Sequence, residues 1–352
     1  MTDRLVWERD GARWPHRLAS RFVQADGLRW HVQQFDGQPS ANAPPTPELP
    51  DQGRRPVTRH APAELPLALL LHGTGASTHS WRGLAPLLAS QFNVLAVDLP
   101  GHAFTSMPVG GAGSAQLSLP GMARAVHALL GVLKLSPALV IGHSAGAAIG
   151  VRMCLDGLIA PQLVVGINGA FLPLGGLAGQ IFSPVAKLMA AAPFVPKLFS
   201  WRAADPTVLQ KLIDRTGSTL DATGLALYGK LVSNPGHAAG ALGMMANWDL
   251  PQLARDLPQL KTPLSLVVGS NDRTIAPEQA SRVLAMLTPA STPDSLAKSV
   301  RQTKPIQLTK SIQSALSTLI TLDGLGHLAH EERPDLVAQA ALAQFRAAKV
   351  AK

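Results

Sequence analysis

A short motif near the middle of the chain constrains the fold more than any other feature. The run Ile141 to Gly146 reads Ile-Gly-His-Ser-Ala-Gly, and it continues the apolar run Ala138 to Ile141. A serine between two glycines at this spacing is typical of a tight turn from a β-strand to an α-helix. A side chain at Gly142 or Gly146 would clash with its neighbours in such a turn. The motif therefore predicts that Ser144 projects into a cleft as a nucleophile.

Length and composition indicate a globular protein with a large core. The chain has 352 residues, of which 46% are hydrophobic, and it contains one cysteine, Cys154. A single cysteine has no disulfide partner within the chain, which fits a reducing compartment. The segment Met1 to Arg21 is rich in charged residues, and no run of about 18 apolar residues occurs anywhere. We therefore expect a cytoplasmic protein with no transmembrane segment.

The chain is basic, with a formal net charge of +9. Its basic residues are spread along the sequence without aromatic interleaving or a recognisable binding motif, so we expect a solvated surface and no nucleic acid partner. A weaker alternative is that the charge attracts anionic substrates or an anionic membrane surface, with the protein at the membrane periphery.

Short apolar runs alternate with longer helical patterns along most of the chain. This alternation predicts an α/β fold with a mostly parallel, doubly wound sheet whose strands are buried on both faces. Two stretches, at about 37–64 and 288–314, break the pattern and are expected to be insertions in surface loops. The predicted strands are Leu67–Leu71, Val94–Val97, Ala138–Ile141, Leu163–Ile167, Leu264–Val268 and Ser317–Leu322.

Consecutive helical patterns predict a helical cap at 171–248, between two parts of the core at 1–170 and 249–352. The patterns cover Ile181–Ala191, Pro206–Asp214, Asp221–Val232 and Ala238–Asn247. The apolar cap residues either roof a pocket for a flat or hydrophobic ligand or bury the cap against the core. They include Phe182, Leu188, Met189, Phe194, Leu198, Phe199, Met244 and Met245.

A serine nucleophile needs a general base, and the base needs a carboxylate that orients it. In this arrangement the expected chain order is serine, acid, histidine. Asp272 follows the strand Leu264–Val268, and His327 lies on a glycine-rich loop after the strand Ser317–Leu322. The carboxyl ends of parallel strands meet at one edge of a sheet. We therefore predict a catalytic triad of Ser144, Asp272 and His327.

Other carboxylates fit the acid position less well. Asp98 precedes the serine and is expected to hold its own loop by hydrogen bonds, whereas Asp156 lies on the helix that follows the serine. The end of the strand Leu163–Ile167 is another place for such an acid, but it carries the neutral Asn168.

Further motifs near these residues carry no chemistry. His330 follows His327 by three positions and is expected on a solvated helix face beside Glu331 and Glu332. A spacing of three does not match the zinc-binding pair of histidines four residues apart, so we expect no metal. The stretch Gly224 to Lys230 resembles a phosphate-binding loop, but a leucine follows it where that loop needs serine or threonine.

The loop Leu71-His72-Gly73-Thr74-Gly75 follows the first predicted strand. The backbone N–H groups of Thr74 and Ala145 are the predicted oxyanion donors, and a plain glycine turn is the alternative. The candidate substrate contacts are Trp81, His143, Met244 and Met245.

With these residues in place, the chain resembles the α/β-hydrolase family over most of its length. Within that family it is similar to the magnesium chelatase accessory branch of bacteriochlorophyll biosynthesis. The resemblance implies the hydrolase fold with a helical cap and an association with magnesium insertion into protoporphyrin IX; the reaction is not implied. The chain departs from the branch in its long segment between Asp272 and His327. The matching strings are Gly27–Val32, His72–Trp81, Gly142–Ala147, Gly243–Trp248 and Gly324–Pro334.

Two hypotheses for the function follow. The first is a serine hydrolase without a cofactor that cleaves an ester or amide in or beside bacteriochlorophyll biosynthesis. Its substrate would be small and hydrophobic or porphyrin-like. The alternative is a non-catalytic accessory protein that binds a porphyrin intermediate for magnesium chelatase, with the triad unused.

Overall fold

A single sheet runs through the centre of the molecule. The computed structural model describes residues 4–37, 65–173, 192, 194–287, 298–299, 308–313 and 317–350. Within these ranges, the strands are β1 (Ser20–Ala25), β2 (Leu28–Phe35), β3 (Leu67–Leu71), β4 (Asn93–Val97), β5 (Pro137–His143), β6 (Leu163–Ile167), β7 (Leu264–Gly269), β8 (Lys298–Ser299), β9 (Leu308–Gln313) and β10 (Ser317–Leu322). These ten strands form one sheet in the order β1-β2-β4-β3-β5-β6-β7-β10-β9-β8.

The six central strands, β4-β3-β5-β6-β7-β10, are parallel to their neighbours and correspond to the six predicted runs. Leu69 and Leu70 of β3 are both fully buried and belong to core clusters on opposite faces of the sheet. A continuous apolar run is required when both faces are covered, because successive side chains alternate between them. The predicted α/β fold with a mostly parallel sheet is therefore confirmed.

The sheet extends further at both edges than the sequence predicts. β1 and β2 form an antiparallel hairpin, and the turn between them, Asp26-Gly27, has positive φ at both residues. Asp-Gly is a preferred dipeptide for such a turn. β8 and β9 lie within 288–314 and pair antiparallel beside β10, so part of this expected loop insertion adds strands to the sheet. The other expected insertion lies outside the described residues, apart from residue 37.

Helices cover both faces of the sheet. α3 (Leu119–Leu133), α4 (Ala145–Leu155) and α10 (Glu278–Leu287) pack on the face that contains Leu69. α2 (Leu84–Leu88) and α12 (Pro334–Val350) pack on the face that contains Leu70. In the described part of the chain, no helix is long and apolar enough to cross a bilayer. The helices described are α1 (Trp7–Asp10), α2 (Leu84–Leu88), α3 (Leu119–Leu133), α4 (Ala145–Leu155), α5 (Val195–Ala203), α6 (Pro206–Asp214), α7 (Ala222–Val232), α8 (Pro235–Ala246), α9 (Leu250–Asp256), α10 (Glu278–Leu287), α11 (Ala329–Glu332) and α12 (Pro334–Val350).

Helices α5 to α8 lie between β6 and β7 and form the cap. α6 has the predicted bounds, and α7 begins after Asp221, whose carboxylate accepts a hydrogen bond from the Gly224 N–H at 2.6 Å. α8 covers nearly all of the last predicted pattern. The expected helix Ile181–Ala191 lies outside the described residues. The domain boundaries 1–170, 171–248 and 249–352 stay a prediction.

Three apolar cap residues face solvent, contrary to the expectation that they roof a pocket or pack on the core. The exposed fractions are 65% for Phe194, 56% for Leu198 and 39% for Phe199. The reason is that α5 turns a face of small side chains inward, which allows close packing on α8. The buried residues of α5 are Pro196, Ser200 and Ala203. Phe182, Leu188 and Met189 lie outside the described residues.

Candidate active site

Ser144 lies at the sharp turn between β5 and α4, as the motif predicts. Its backbone has φ 51° and ψ −115°, a sparsely populated conformation that costs about 1–3 kcal/mol. The Ser144 N–H donates to the Ile167 carbonyl oxygen at 2.9 Å, which helps to hold this conformation. Gly142 and Gly146 are both required because backbone atoms of neighbouring segments approach them closely. A Cβ at Gly142 would lie 2.4 Å from the backbone of α4, and one at Gly146 would lie 2.0 Å from the Leu71 carbonyl oxygen.

Asp272 and His327 meet at the carboxyl edge of the sheet. Nδ1 of His327 donates to Oδ2 of Asp272 at 2.8 Å, and both residues are buried. Because a carboxylate only accepts, Nδ1 carries a hydrogen, and in the neutral imidazole this tautomer has its lone pair on Nε2. Oδ1 of Asp272 accepts from the N–H groups of Thr274 at 2.7 Å and Ile275 at 2.9 Å. The loop of Asp272 thus holds Oδ1 of the carboxylate, and Oδ2 orients the imidazole of His327.

The His143 side chain brings the segments that carry Ser144 and His327 together. His143, the neighbour of Ser144, donates from Nε2 to the His327 carbonyl oxygen at 2.9 Å, and the two imidazole rings lie 4.7 Å apart. The Ser144 side chain is half-buried, and within the described residues its hydroxyl makes no hydrogen bond. Catalytic hydrogen bonds often tighten only when substrate is bound.

Asn168, directly after β6, ties the histidine loop to the end of β7. Its Nδ2 donates to the carbonyl oxygens of Gly326 at 3.0 Å and His327 at 2.8 Å. Its Oδ1 accepts from the Gly269 N–H at 2.9 Å. In the sequence, Asn168 is only a neutral residue at a strand end where the acid of a catalytic triad can be located. The structure shows that it holds the loop of the candidate base.

A turn of the cap, residues 216–218 between α6 and α7, contacts the loops that carry Asp272 and His327. The Thr216 carbonyl oxygen accepts from the N–H groups of Arg273 at 3.2 Å and His327 at 3.1 Å. A Cβ on Gly326 would lie 2.3 Å from the backbone of the turn, so this approach requires glycine. The backbone of His327 is therefore held by the cap at its N–H and by the core at its carbonyl.

The predicted oxyanion loop runs directly past the candidate nucleophile. A Cβ on Gly73 would lie 3.1 Å from Cβ of Ser144 and 2.8 Å from Nδ1 of His143. The N–H of Thr74 makes no hydrogen bond within the described residues. The N–H of Ala145 is the first in α4 and has no partner inside the helix. Both predicted oxyanion donors thus lie on segments that adjoin Ser144.

His237 of α8 fastens the cap to this loop. Its Nε2 donates to the Gly75 carbonyl oxygen at 3.0 Å, and its Nδ1 accepts from the Ala103 N–H at 3.0 Å. Because Nδ1 accepts, the imidazole is neutral and carries its hydrogen on Nε2. Burial lowers the pKa of His237 to about 4. No pattern in the sequence singles out His237, which lies one residue before the last predicted helical pattern of the cap.

His330 is buried, so the expectation that it lies on a solvated face is wrong. Its ring centroid lies 4.4 Å from that of His143 and 4.7 Å from that of Trp81, and the residue is inaccessible to solvent. Burial lowers the pKa of His330 to about 3. The imidazole is therefore neutral and forms part of the packing around His143.

A buried ion pair explains why His330 turns inward. The carboxylate of the next residue, Glu331, is fully buried and pairs with the guanidinium of Arg82. It also accepts a hydrogen bond from the Tyr228 hydroxyl at 2.8 Å. Arg82 reaches Asp221 of the cap at 2.9 Å as well. These contacts draw α11 towards the core and connect it to α7.

The rival carboxylates have other partners. Asp98 accepts from Nδ1 of His31 and from the Thr78 N–H, both at 2.7 Å, which confirms that it holds its loop by hydrogen bonds. Burial opposes ionisation of Asp98, but His31 and the hydrogen bonds outweigh it and lower the pKa to about 2. Asp156 pairs with Arg152 at the end of α4 away from Ser144.

The candidate substrate contacts stay predictions. Trp81, His143 and Met244 are buried, and Met245 is half-buried. The sulfur of Met244 accepts from the Thr74 hydroxyl at 3.4 Å, so α8 contacts the oxyanion loop here as well. In the part of the chain that the structure describes, no three His, Cys, Asp or Glu side chains form a group that could hold a metal ion.

Solved structures share the fold over nearly the whole chain. An alpha/beta hydrolase fold protein from Burkholderia ambifaria is 22% identical, with a TM-score of 0.63 and coverage of 92% of this chain and 97% of that one. The enol-lactonase from Burkholderia xenovorans LB400 is 17% identical, with a TM-score of 0.61 and coverage of 93% and 100%. At these identities the likeness shows the fold alone.

Sequence comparison gives the family. The chain is 40% identical over 230 residues to the Magnesium-chelatase 30 kDa subunit of Rhodobacter capsulatus, and the match covers 64% of this chain and 79% of that protein. The sequence profile of the alpha/beta hydrolase family matches residues 68–340. Since this match spans most of the chain, the protein belongs to the alpha/beta hydrolase family.

Proposed function

We propose that this protein is a serine hydrolase that cleaves an ester or amide, with Ser144 as the nucleophile. The observation that carries the proposal is the buried hydrogen bond between Asp272 and His327, on loops that adjoin the strained turn of Ser144. The bond selects the tautomer whose lone pair is on Nε2, as a general base requires. A histidine oriented by a buried carboxylate beside a serine at a strand–helix turn is the arrangement that activates a hydroxyl.

The reaction has two halves. Oγ of Ser144 attacks the substrate carbonyl carbon while its proton passes to Nε2 of His327, and Asp272 stabilises the resulting imidazolium. The carbonyl electron pair moves to oxygen, where the N–H groups of Thr74 and Ala145 bind it. Collapse of this intermediate expels the alcohol or amine, which takes the proton from Nε2. Water then attacks the acyl-enzyme by the same route and restores Ser144.

We infer that this reaction takes place in the cytoplasm, in or beside bacteriochlorophyll biosynthesis at the magnesium chelatase step. The support is the 40% identity to a relative named as a magnesium-chelatase subunit. The substrate would then be a small hydrophobic or porphyrin-related ester or amide, and magnesium chelatase a candidate partner. An acyl-ester screen run beside a titration with protoporphyrin tests the substrate class.

Labelling with a fluorophosphonate probe tests the nucleophile. We expect the probe to label the wild-type protein and to leave Ser144→Ala unlabelled, because only an activated serine reacts with it. The matched control is Ser90→Ala, which removes an exposed hydroxyl at the end of α2 and should be labelled like the wild type. Equal labelling of Ser144→Ala and the wild type would overturn the proposal.

Complementation tests the biological role. In a bacteriochlorophyll-producing strain that lacks its own copy, we expect the wild-type protein to restore pigment and Ser144→Ala to fail at equal protein level. Full rescue by Ser144→Ala would contradict a catalytic role in the pathway and support the accessory alternative.

A further inference from the structure

Large apolar side chains cluster on the outer side of α5. Among the described residues, nine large hydrophobic side chains are exposed, and four of them lie between 194 and 201. Single exposed hydrophobic residues are normal on a protein surface, but a contiguous group indicates a binding surface. The four are Phe194 at 65%, Leu198 at 56%, Phe199 at 39% and Trp201 at 72% exposure.

The helical spacing makes this group a continuous strip. Phe194, Leu198 and Trp201 follow one another at intervals of four and three residues, so they lie along one face of the helix. The face towards the protein carries small side chains at the same intervals, and these are Pro196, Ser200 and Ala203. The large apolar residues are therefore turned away from the protein, although the helix has a buried face available.

Basic residues flank the strip on both sides. At 3.6 residues per turn, Lys197 and Arg202 project about 70° to either side of the apolar strip. No acidic residue occurs between Phe194 and Ala203. The next carboxylate along the chain, Asp205, accepts from the Thr207 N–H at the start of α6 and also lies within electrostatic reach of Arg202. The surface thus has an apolar centre and a cationic rim, on a chain with a net charge of +9.

We propose that this surface, the α5 face formed by Phe194, Lys197, Leu198, Trp201 and Arg202, binds an anionic lipid bilayer. Aromatic and aliphatic side chains enter the boundary between headgroups and acyl chains, while lysine and arginine stay with the anionic headgroups. A second copy of the chain fits this surface poorly, because pairing would bring two cationic rims together.

The position of α5 determines where a bound bilayer would lie relative to the candidate active site. α5 packs on α8, and α8 contacts the oxyanion loop through Met244 and His237. A bilayer on the α5 face would therefore lie one helix away from this loop. The relevance of this position to catalysis depends on the proposed function, whereas binding of vesicles does not depend on the Ser144 chemistry.

Co-sedimentation of the full chain with vesicles tests the proposal. We expect binding to vesicles of equal phosphatidylglycerol and phosphatidylcholine, and much weaker binding to phosphatidylcholine alone or at high salt. Combining Phe194→Ser, Leu198→Ser and Trp201→Ser should weaken binding about tenfold or more. The matched control combines Leu18→Ser and Val109→Ser, which replace residues that are 102% and 91% exposed outside this surface. Circular dichroism and Tm establish that both variants remain folded.

Tryptophan fluorescence identifies the surface that touches lipid. Among the tryptophans of the described residues only Trp201 is exposed, so a blue shift on adding vesicles should disappear in Trp201→Phe. Arg202→Gln should weaken binding to the anionic vesicles and leave the weak binding to phosphatidylcholine vesicles unchanged.

Wild-type protein that stays in the supernatant at low salt would overturn the proposal, as would a triple variant that binds like the wild type. The proposal would also be overturned if sedimentation velocity showed a dimer in the wild type but not in the triple variant, and the wild type did not bind vesicles.

Discussion

The side-chain amide of Asn168 donates a 2.8 Å hydrogen bond to the carbonyl oxygen of His327, across 159 residues of sequence. The same oxygen accepts a hydrogen bond from His143, beside the candidate nucleophile. The candidate base is thus positioned by His143 of β5 and by Asn168 directly after β6, in addition to the carboxylate on the loop after β7.

Replacing Asn168 should lower activity more than it lowers stability. Asn168→Ala removes three hydrogen bonds, which costs about 1–3 kcal/mol of unfolding free energy, and the displaced loop should lower kcat about 100-fold. Asn168→Asp keeps an acceptor for the Gly269 N–H but sets a carboxylate oxygen against two carbonyls. Urea unfolding and ester hydrolysis measure both effects. Wild-type kcat in Asn168→Asp would contradict this positioning role.

Asp272→Asn should abolish most activity with little change in fold. An asparagine oxygen can still accept from the Thr274 and Ile275 N–H groups, but its NH₂ group faces Nδ1 of His327 and favours the wrong tautomer. By analogy with serine proteases, we expect kcat to fall about 10⁴-fold. The measurement is single-turnover hydrolysis beside thermal unfolding. A fall of less than tenfold in a folded variant would contradict the assignment.

The two bonds of His237 can be separated by a pair of amide variants. In His237→Asn the side-chain oxygen takes the place of Nδ1 and can accept from Ala103, whereas in His237→Gln the NH₂ group takes the place of Nε2 and can donate to Gly75. If the Gly75 contact orients the oxyanion loop, kcat should be retained better in His237→Gln than in His237→Asn. Equal kcat values would show that the contact only attaches the cap.

The lowered pKa of His237 also predicts how the free energy of unfolding depends on pH. Its pKa is lowered to about 4 in the folded protein, and the unfolded value is about 6.5. Between these values the unfolded chain binds a proton that the folded protein excludes, so stability falls as pH falls. The loss from this group over that range is roughly 3 kcal/mol. Unfolding of the wild type and His237→Gln at pH 7 and pH 4 should show a smaller loss in the variant.

Gly73→Ala tests the approach of the oxyanion loop to Ser144. The new Cβ would meet the His143 ring and the Ser144 side chain, so the loop must move and kcat should fall about 100-fold. The control is Gly131→Ala in α3, where a Cβ meets no atom within 4 Å. That change should leave kcat unaltered and stabilise the helix by up to about 1 kcal/mol. Similar kcat values for both variants would contradict the predicted site geometry.

Local patterns in the sequence predict the sheet core and the turn that carries Ser144. Continuous apolar runs indicate strands buried on both faces, and Gly142 and Gly146 mark a turn where backbone approaches backbone. The same logic places Asp272 and His327 at one edge, because each follows a parallel strand. The hydrogen bond between these two residues agrees with that prediction.

The tertiary structure alone decides the roles of Asn168, His237 and His330 and the exposure of the α5 face. Asn168 and His237 act on backbone groups 159 and 162 residues away in the chain. His330 is buried because its neighbour Glu331 pairs with Arg82, 249 residues away. Local sequence determines which segments become strands, helices and tight turns, since those depend on neighbouring residues. Burial and hydrogen-bond partners depend on which distant segments pack together, so they emerge only in the folded chain.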